Sequence, residues 1–66
     1  SLEEVILEED SDHPEYDYIG RLRRQSPDID GITYVKAGGR KIGDIIRCRI
    51  DGADDYDLFA EEAIET

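Results

Sequence analysis

GRLRRQSPDIDGITYV, residues 20–35, carries three of the chain's eight basic residues within four positions, then a proline and an Asp30-Gly31 step, and runs out in a β-branched stretch. Ile32, Thr33, Tyr34 and Val35 favour a strand, because β-branched and aromatic side chains suit a pleated, half-buried surface. Pro27 lacks a ladder donor and Gly31 tolerates positive φ, so residues 25–31 read as a turn-rich connection, with Ile29 plugging a barrel end. Ile19 and Leu22 would fall on opposite faces of a regular strand. A bulge at Gly20 would bring both inward and leave Arg21 and Arg23 outside, and such a bend is what a small barrel needs at its corner.

Towards the N-terminus, Val5, Ile6 and Leu7 stand between paired glutamates, a strand pattern with Val5 and Leu7 facing inward. Residues 10–15, with Pro14 among Asp, Ser and His, form a connecting loop. Towards the C-terminus, Ala37-Gly38-Gly39-Arg40 reads as a hairpin turn; the glycine pair lacks the spacing and following helix of a phosphate-cradling loop. Ile46, Cys48 and Ile50 then alternate with Arg47 and Arg49, which predicts a half-buried antiparallel strand ending at Asp51-Gly52, with Cys48 as a small core hydrophobe. In the last stretch Tyr56, Phe59, Ala60, Ala63 and Ile64 recur at helical spacing behind Asp54 or Asp55 as an N-cap. Periodicity alone favours an amphipathic helix there, with a strand over residues 56–61 as the competitor.

Sixty-six residues allow one domain with a thin core, worth about 3 to 5 kcal/mol of stability. The start at Ser1, directly before a strand-like run, suggests a piece of a longer protein. The net charge of −10 disfavours a general binder of nucleic acid or anionic membrane. The charge is unevenly laid out: residues 1–20 sum to −8, residues 21–50 to +5 and residues 51–66 to −7. Strands from these blocks can neutralise one another side by side, so the asymmetry is either a recognition device or a lattice of ion pairs.

Cys48 is the single cysteine, so neither an internal disulfide nor a cysteine-based metal site can form. A reducing, cytoplasmic setting fits, and no apolar run is long enough to span a bilayer. Glu9, Asp10, Asp12, His13 and Glu15 cluster in sequence, but their spacing matches neither a calcium loop nor a zinc motif, and His13 reads as a solvated loop residue. No nucleophile–base pair is arranged for catalysis, and no residue is assigned to catalysis, cofactor or metal.

Four landmarks follow in order: Gly20-Arg21, Ser26-Pro27-Asp28-Ile29-Asp30-Gly31, Lys41-Ile42-Gly43-Asp44 and Asp55-Tyr56-Asp57-Leu58. Together they resemble the C-terminal TRAM domain of the radical-SAM methylthiotransferases, and within them the branch called RimO, which modifies a small-subunit ribosomal protein instead of transfer RNA. The resemblance covers nearly the whole chain. It implies an all-β, five-stranded antiparallel OB-like barrel, which makes residues 56–61 the fifth strand. It also implies a parent enzyme that places a methylthio group on an aspartate, using S-adenosylmethionine and 4Fe-4S clusters whose cysteines lie in other domains; Cys48 matches none of them.

Three functions follow. In the first, the domain recognises a basic ribosomal protein through Glu8, Glu9, Asp10, Asp54 and Asp55. In the second, it is an OB-like RNA-binding module using Arg21, Arg23, Arg24, Arg47 and Arg49, with Lys36, Arg40 and Lys41 in support and Tyr34 as a stacking platform. In the third, it packs on the radical-SAM domain of its own chain and shapes the active-site entrance.

Overall fold

A computed structural model describes residues 2–23, 32–54 and 57–63. The proline-containing connection with Ile29, and also Arg24, Asp55 and Tyr56, lie outside the described residues. Five strands, β1 (Leu2–Asp10), β2 (Tyr18–Leu22), β3 (Thr33–Lys36), β4 (Ile45–Ala53) and β5 (Leu58–Glu62), close into a barrel in the order β1-β2-β3-β5-β4. The OB-like barrel implied by the resemblance is therefore present, and the last stretch is a strand rather than the helix its periodicity suggests.

Two details differ from expectation. The barrel is mixed, because β3 and β5 pair in parallel while every other neighbouring pair is antiparallel. Parity requires this: directions cannot alternate all the way around a closed ring with an odd number of strands. For the same reason of order, Ala37-Gly38-Gly39-Arg40 is no hairpin turn, since β3 and β4 are not neighbours. Gly39 nonetheless takes the positive φ, 68°, that suits a glycine there.

Alternation fills the interior. Val5, Leu7, Val35, Ala37, Ile46, Cys48 and Ala60 form the buried cluster, with Tyr18, Leu22 and Ile50 packed against it. Thr33 joins them as a buried polar side chain. Cys48 is fully buried, and desolvation, with the Glu62 carboxylate second, pushes its thiol up to about 11. It is the inert core hydrophobe its pattern implied.

The bulge expected at Gly20 lies on the opposite strand. β1 advances from Leu7 to Glu9 while β2 advances only from Gly20 to Ile19, so Glu8 is the extra residue. Gly20 serves a different need: a Cβ at this position would stand 2.3 Å from the Ile6 carbonyl oxygen and 2.8 Å from a Val5 methyl. It is the absent side chain that lets β2 reach β1. With no bulge in β2, Tyr18, Gly20 and Leu22 share the inner face, and Ile19 moves to the outer face with Arg21.

Lys41-Ile42-Gly43-Asp44 is a type II turn. The Asp44 amide donates to the Lys41 carbonyl at 3.0 Å, and Gly43 takes φ 98° at the third position. The Asp44 carboxylate accepts from the Lys41 amide at 3.0 Å, fixing the turn from the inside. Gly43 N–H then donates to the Leu7 carbonyl at 2.7 Å, and Leu7 N–H to the Asp44 carbonyl at 2.9 Å, so the turn extends the β1–β4 ladder beyond its last strand pair.

Two outcomes are expected. Gly20→Ala should lower the unfolding free energy by about 2 kcal/mol or more in urea titrations, since backbone must move to admit the methyl. At pH 8 the native Cys48 thiol should react with iodoacetamide at least about 100-fold more slowly than in 6 M urea, where burial no longer suppresses the thiolate.

Candidate functional site

The arginines proposed for RNA contact are largely engaged with the chain's own carboxylates. Arg21 Nε donates to Glu8 at 3.0 Å and Arg23 to Glu4 at 3.4 Å. Arg49 bridges Asp51 at 3.2 Å and Glu61 at 3.3 Å, and Arg40 pairs with Glu62. All four arginines are exposed, so screening by solvent leaves these pairs little effect on stability. Their effect on the surface is larger than their effect on the fold, because they cancel the positive field that a polyanion would follow. Arg47 is exposed on the outer face of β4, with an interaction of its own; Arg24 lies outside the described residues.

The acids divide as well. Glu8 is spent on Arg21. Asp54, exposed just after β4, has an interaction of its own, and in addition its amide donates to the Asp57 carbonyl at 2.7 Å. Asp55 lies outside the described residues. Glu9 and Asp10, at the end of β1, are exposed and make no ion pair within the described residues, and the same is true of Asp12 and Glu15 in the following loop. Unbalanced negative charge is thus concentrated where β1 passes into the 11–17 loop.

That loop carries a feature the sequence showed only through Tyr34. Across the outer face, strand register sets Glu9, Ile19, Tyr34 and Phe59 in one row running over β1, β2, β3 and β5. Tyr34 and Phe59 stack at 5.6 Å between ring centroids, 11° from parallel. His13 and Tyr16 reach onto them from the loop: Tyr16 is 5.8 Å from Tyr34 and 5.4 Å from Phe59, and His13 is 5.5 Å from Tyr34 and 5.1 Å from Tyr16. These distances are those of favourable offset and edge contacts. Ile19 is only 9% exposed although it stands outside the interior cluster, and the rings beside it are what this face offers to cover it. Lys36 places its Nζ 5.5 Å from the Tyr16 centroid, a cation–π distance.

The loop is held in place rather than loosely solvated. Asp17 N–H donates to the Val35 carbonyl at 2.9 Å and its carboxylate accepts from Ala37 N–H at 3.0 Å. Ser11 N–H donates to the Asp17 carbonyl at 3.0 Å, and the Ser11 hydroxyl oxygen accepts from His13 N–H at 2.9 Å. Glu15 N–H donates to His13 Nδ1 at 3.1 Å, which leaves Nε2 as the protonated nitrogen of the neutral ring. His13 is therefore a fixed member of the ring cluster, contrary to the reading of it as a solvated residue.

Among the described residues no group of three or more His, Cys, Asp or Glu side chains could hold a metal ion, and no helix is long and apolar enough to cross a membrane. With one buried thiol, the chain's own residues do not fit an iron–sulfur cluster.

The five-stranded OB-like barrel agrees with the class that the sequence match defines: the TRAM domain family matches residues 1–62, and the chain belongs to that family. Among characterised proteins it is similar to the ribosomal protein uS12 methylthiotransferase RimO of Syntrophus aciditrophicus, with 59% identity over 63 residues, 92% of this chain and 14% of the relative. The RimO proteins of Trichlorobacter lovleyi and Deinococcus radiodurans are 49% and 44% identical over 59 and 66 residues, covering 89% and 88% of this chain and 13% of each relative. The chain thus spans about a seventh of the length of the relatives it matches.

Proposed function

We propose that this TRAM domain recognises the substrate for a methylthiotransferase that adds a methylthio group to an aspartate of ribosomal protein uS12 in the cytoplasm. The observation that carries this reading is the 59% identity to a protein named for that activity, over 92% of the chain. The parent enzyme's radical chemistry, with S-adenosylmethionine and 4Fe-4S clusters, belongs to residues outside this chain, and the barrel contributes binding. A partner of strongly basic character suits a domain of net charge −10. Within it, Glu9 and Asp10 are, like Asp12 and Glu15, exposed acids without an ion pair among the described residues, and Asp54, just after β4, with Asp55 next to it in the chain, is a second contact. Glu8 acts by neutralising Arg21. Packing against the radical-SAM domain of the same chain is compatible with this role.

RNA binding is disfavoured by the pairing of Arg21, Arg23, Arg40 and Arg49 with carboxylates. A polyanion would have to break those pairs and approach a surface with a net negative field.

Purified uS12 should bind the 66-residue chain at 0.1 M salt and weaken steeply towards 1 M, as the screening length falls from about 10 Å to about 3 Å. Reversing Glu9 and Asp10 together to lysine should cost about tenfold in affinity, chiefly through slower association. Reversal of Asp54 and Asp55 should cost less. A single-stranded RNA should show no binding near 0.15 M salt. Absence of uS12 binding at low salt, or indifference to the Glu9 and Asp10 reversal, would overturn the assignment.

A further inference from the structure

We infer that the outer ring cluster of His13, Tyr16, Tyr34 and Phe59 is a seat for an arginine side chain of a basic protein partner, with the carboxylates of the 9–15 segment as its counter-charge. The inference rests on the reading of a basic protein as the ligand and locates where that protein is gripped.

Three features of the surface lead to it. First, Tyr34 and Phe59 lie nearly parallel and stacked, with Tyr16 and His13 against them, and all four side chains are half-buried, so part of each side chain stays open to solvent. The π faces left open at such a cluster attract a planar cation, and guanidinium both stacks on rings and is less strongly hydrated than ammonium. Second, the cluster already holds one cation: Lys36 Nζ sits 5.5 Å from the Tyr16 centroid. The ring faces therefore accept positive charge at this place in the molecule. Third, the carboxylates nearest in the chain are uncancelled. Asp12 and Glu15 are each one residue from a ring-bearing position, and Glu9 heads the cross-strand row through Ile19 to Tyr34, about 10 Å away at two strand spacings. Each is exposed and without an ion pair among the described residues, in contrast to the acids near the arginines of β2 and β4.

The same rings could stack nucleobases, but the border decides between the two. A base brings a phosphate with it, and around the rings the three carboxylates Glu9, Asp12 and Glu15 outnumber the single cation Lys36. An arginine brings only the charge those acids lack.

The test titrates the 66-residue chain with hexa-arginine and, separately, with uS12. Two variants remove π character and keep apolar cover: Tyr16→Leu, in the loop and outside every strand, and Phe59→Leu, in β5. Circular dichroism melting establishes that each is folded, and Tyr16→Leu keeps the test available if Phe59→Leu is not. Either variant should weaken hexa-arginine binding about five- to thirty-fold, the range of a partly to fully desolvated cation–π contact. The salt slope should stay unchanged, because the carboxylates remain. Unaltered affinity in the folded variants would overturn the inference. So would ring-dependent binding of a twelve-residue oligoadenylate tighter than that of hexa-arginine. If uS12 binding is lost on reversing Glu9 and Asp10 yet is untouched by Tyr16→Leu and Phe59→Leu, the arginine seat is wrong and the recognition role stands. If hexa-arginine binds through the rings while uS12 does not bind at all, the seat stands and the proposed substrate falls.

Discussion

Closure of this barrel depends on one close approach, that of Gly20 to the Ile6 carbonyl, where any side chain would collide with backbone. The approach brings β2 against β1 with Leu7 opposite the glycine, so Leu7 can fill the interior that Gly20 leaves empty. The extra residue then falls on β1 at Glu8, and β2 continues as a regular strand. Because β2 is regular, Ile19 faces outward, and an outward isoleucine in a row with Tyr34 and Phe59 gives the 11–17 loop something to pack on. The ring-bearing face is in this sense a consequence of the glycine. A β2 bulge would have turned Ile19 into the core and left no apolar row there.

Charge is organised by the same strand order. The basic middle of the chain contributes β2 and β4, and the acidic ends contribute β1 and β5, their neighbours in the barrel. The result is a set of cross-strand pairs, Arg21 with Glu8, Arg23 with Glu4 and Arg49 with Glu61, that neutralise the barrel wall. Such exposed pairs contribute little stability. What they do is restrict the net negative charge to places without arginines, most clearly the end of β1 and the loop after it. Among its described residues, a domain whose overall charge is −10 thus presents a mostly balanced wall and a strongly acidic, ring-bearing corner.

How much of this was legible in the sequence depends on whether a feature belongs to one strand or to a relation between strands. The inward facing of Val5 and Leu7, and of Ile46 and Cys48 between Arg47 and Arg49, is a property of single strands and follows from alternation. The position of the bulge is a relation: a mismatch between β1 and β2 can be resolved by an extra residue in either, and the space at Gly20 looks the same in sequence for both. The helical spacing of Phe59, Ala60 and Ala63 is real, but the open edges of β3 and β4 can only be closed by a strand, and tertiary pairing overrides the periodicity. The parallel β3–β5 pair needs the ring order, which no local pattern contains. Likewise the ring cluster joins His13 and Tyr16 to Phe59 across more than forty residues, so only Tyr34, on a clean strand, was open to prediction. The engagement of the arginines was foreseeable as an alternative, and Arg21, Arg23, Arg40 and Arg49 do pair with carboxylates.

In the proposed role, recognition centres on the corner built from the end of β1, the 11–17 loop and the ring row of β3 and β5. The most direct measurement is a titration of the isotopically labelled domain with uS12, following backbone amide shifts residue by residue. Shifts concentrated at residues 9–17, Tyr34, Lys36 and Phe59, with Arg21, Arg47 and Arg49 nearly still, are the predicted result. Shifts concentrated along the arginine-bearing faces of β2 and β4, with the ring row unmoved, would contradict the account.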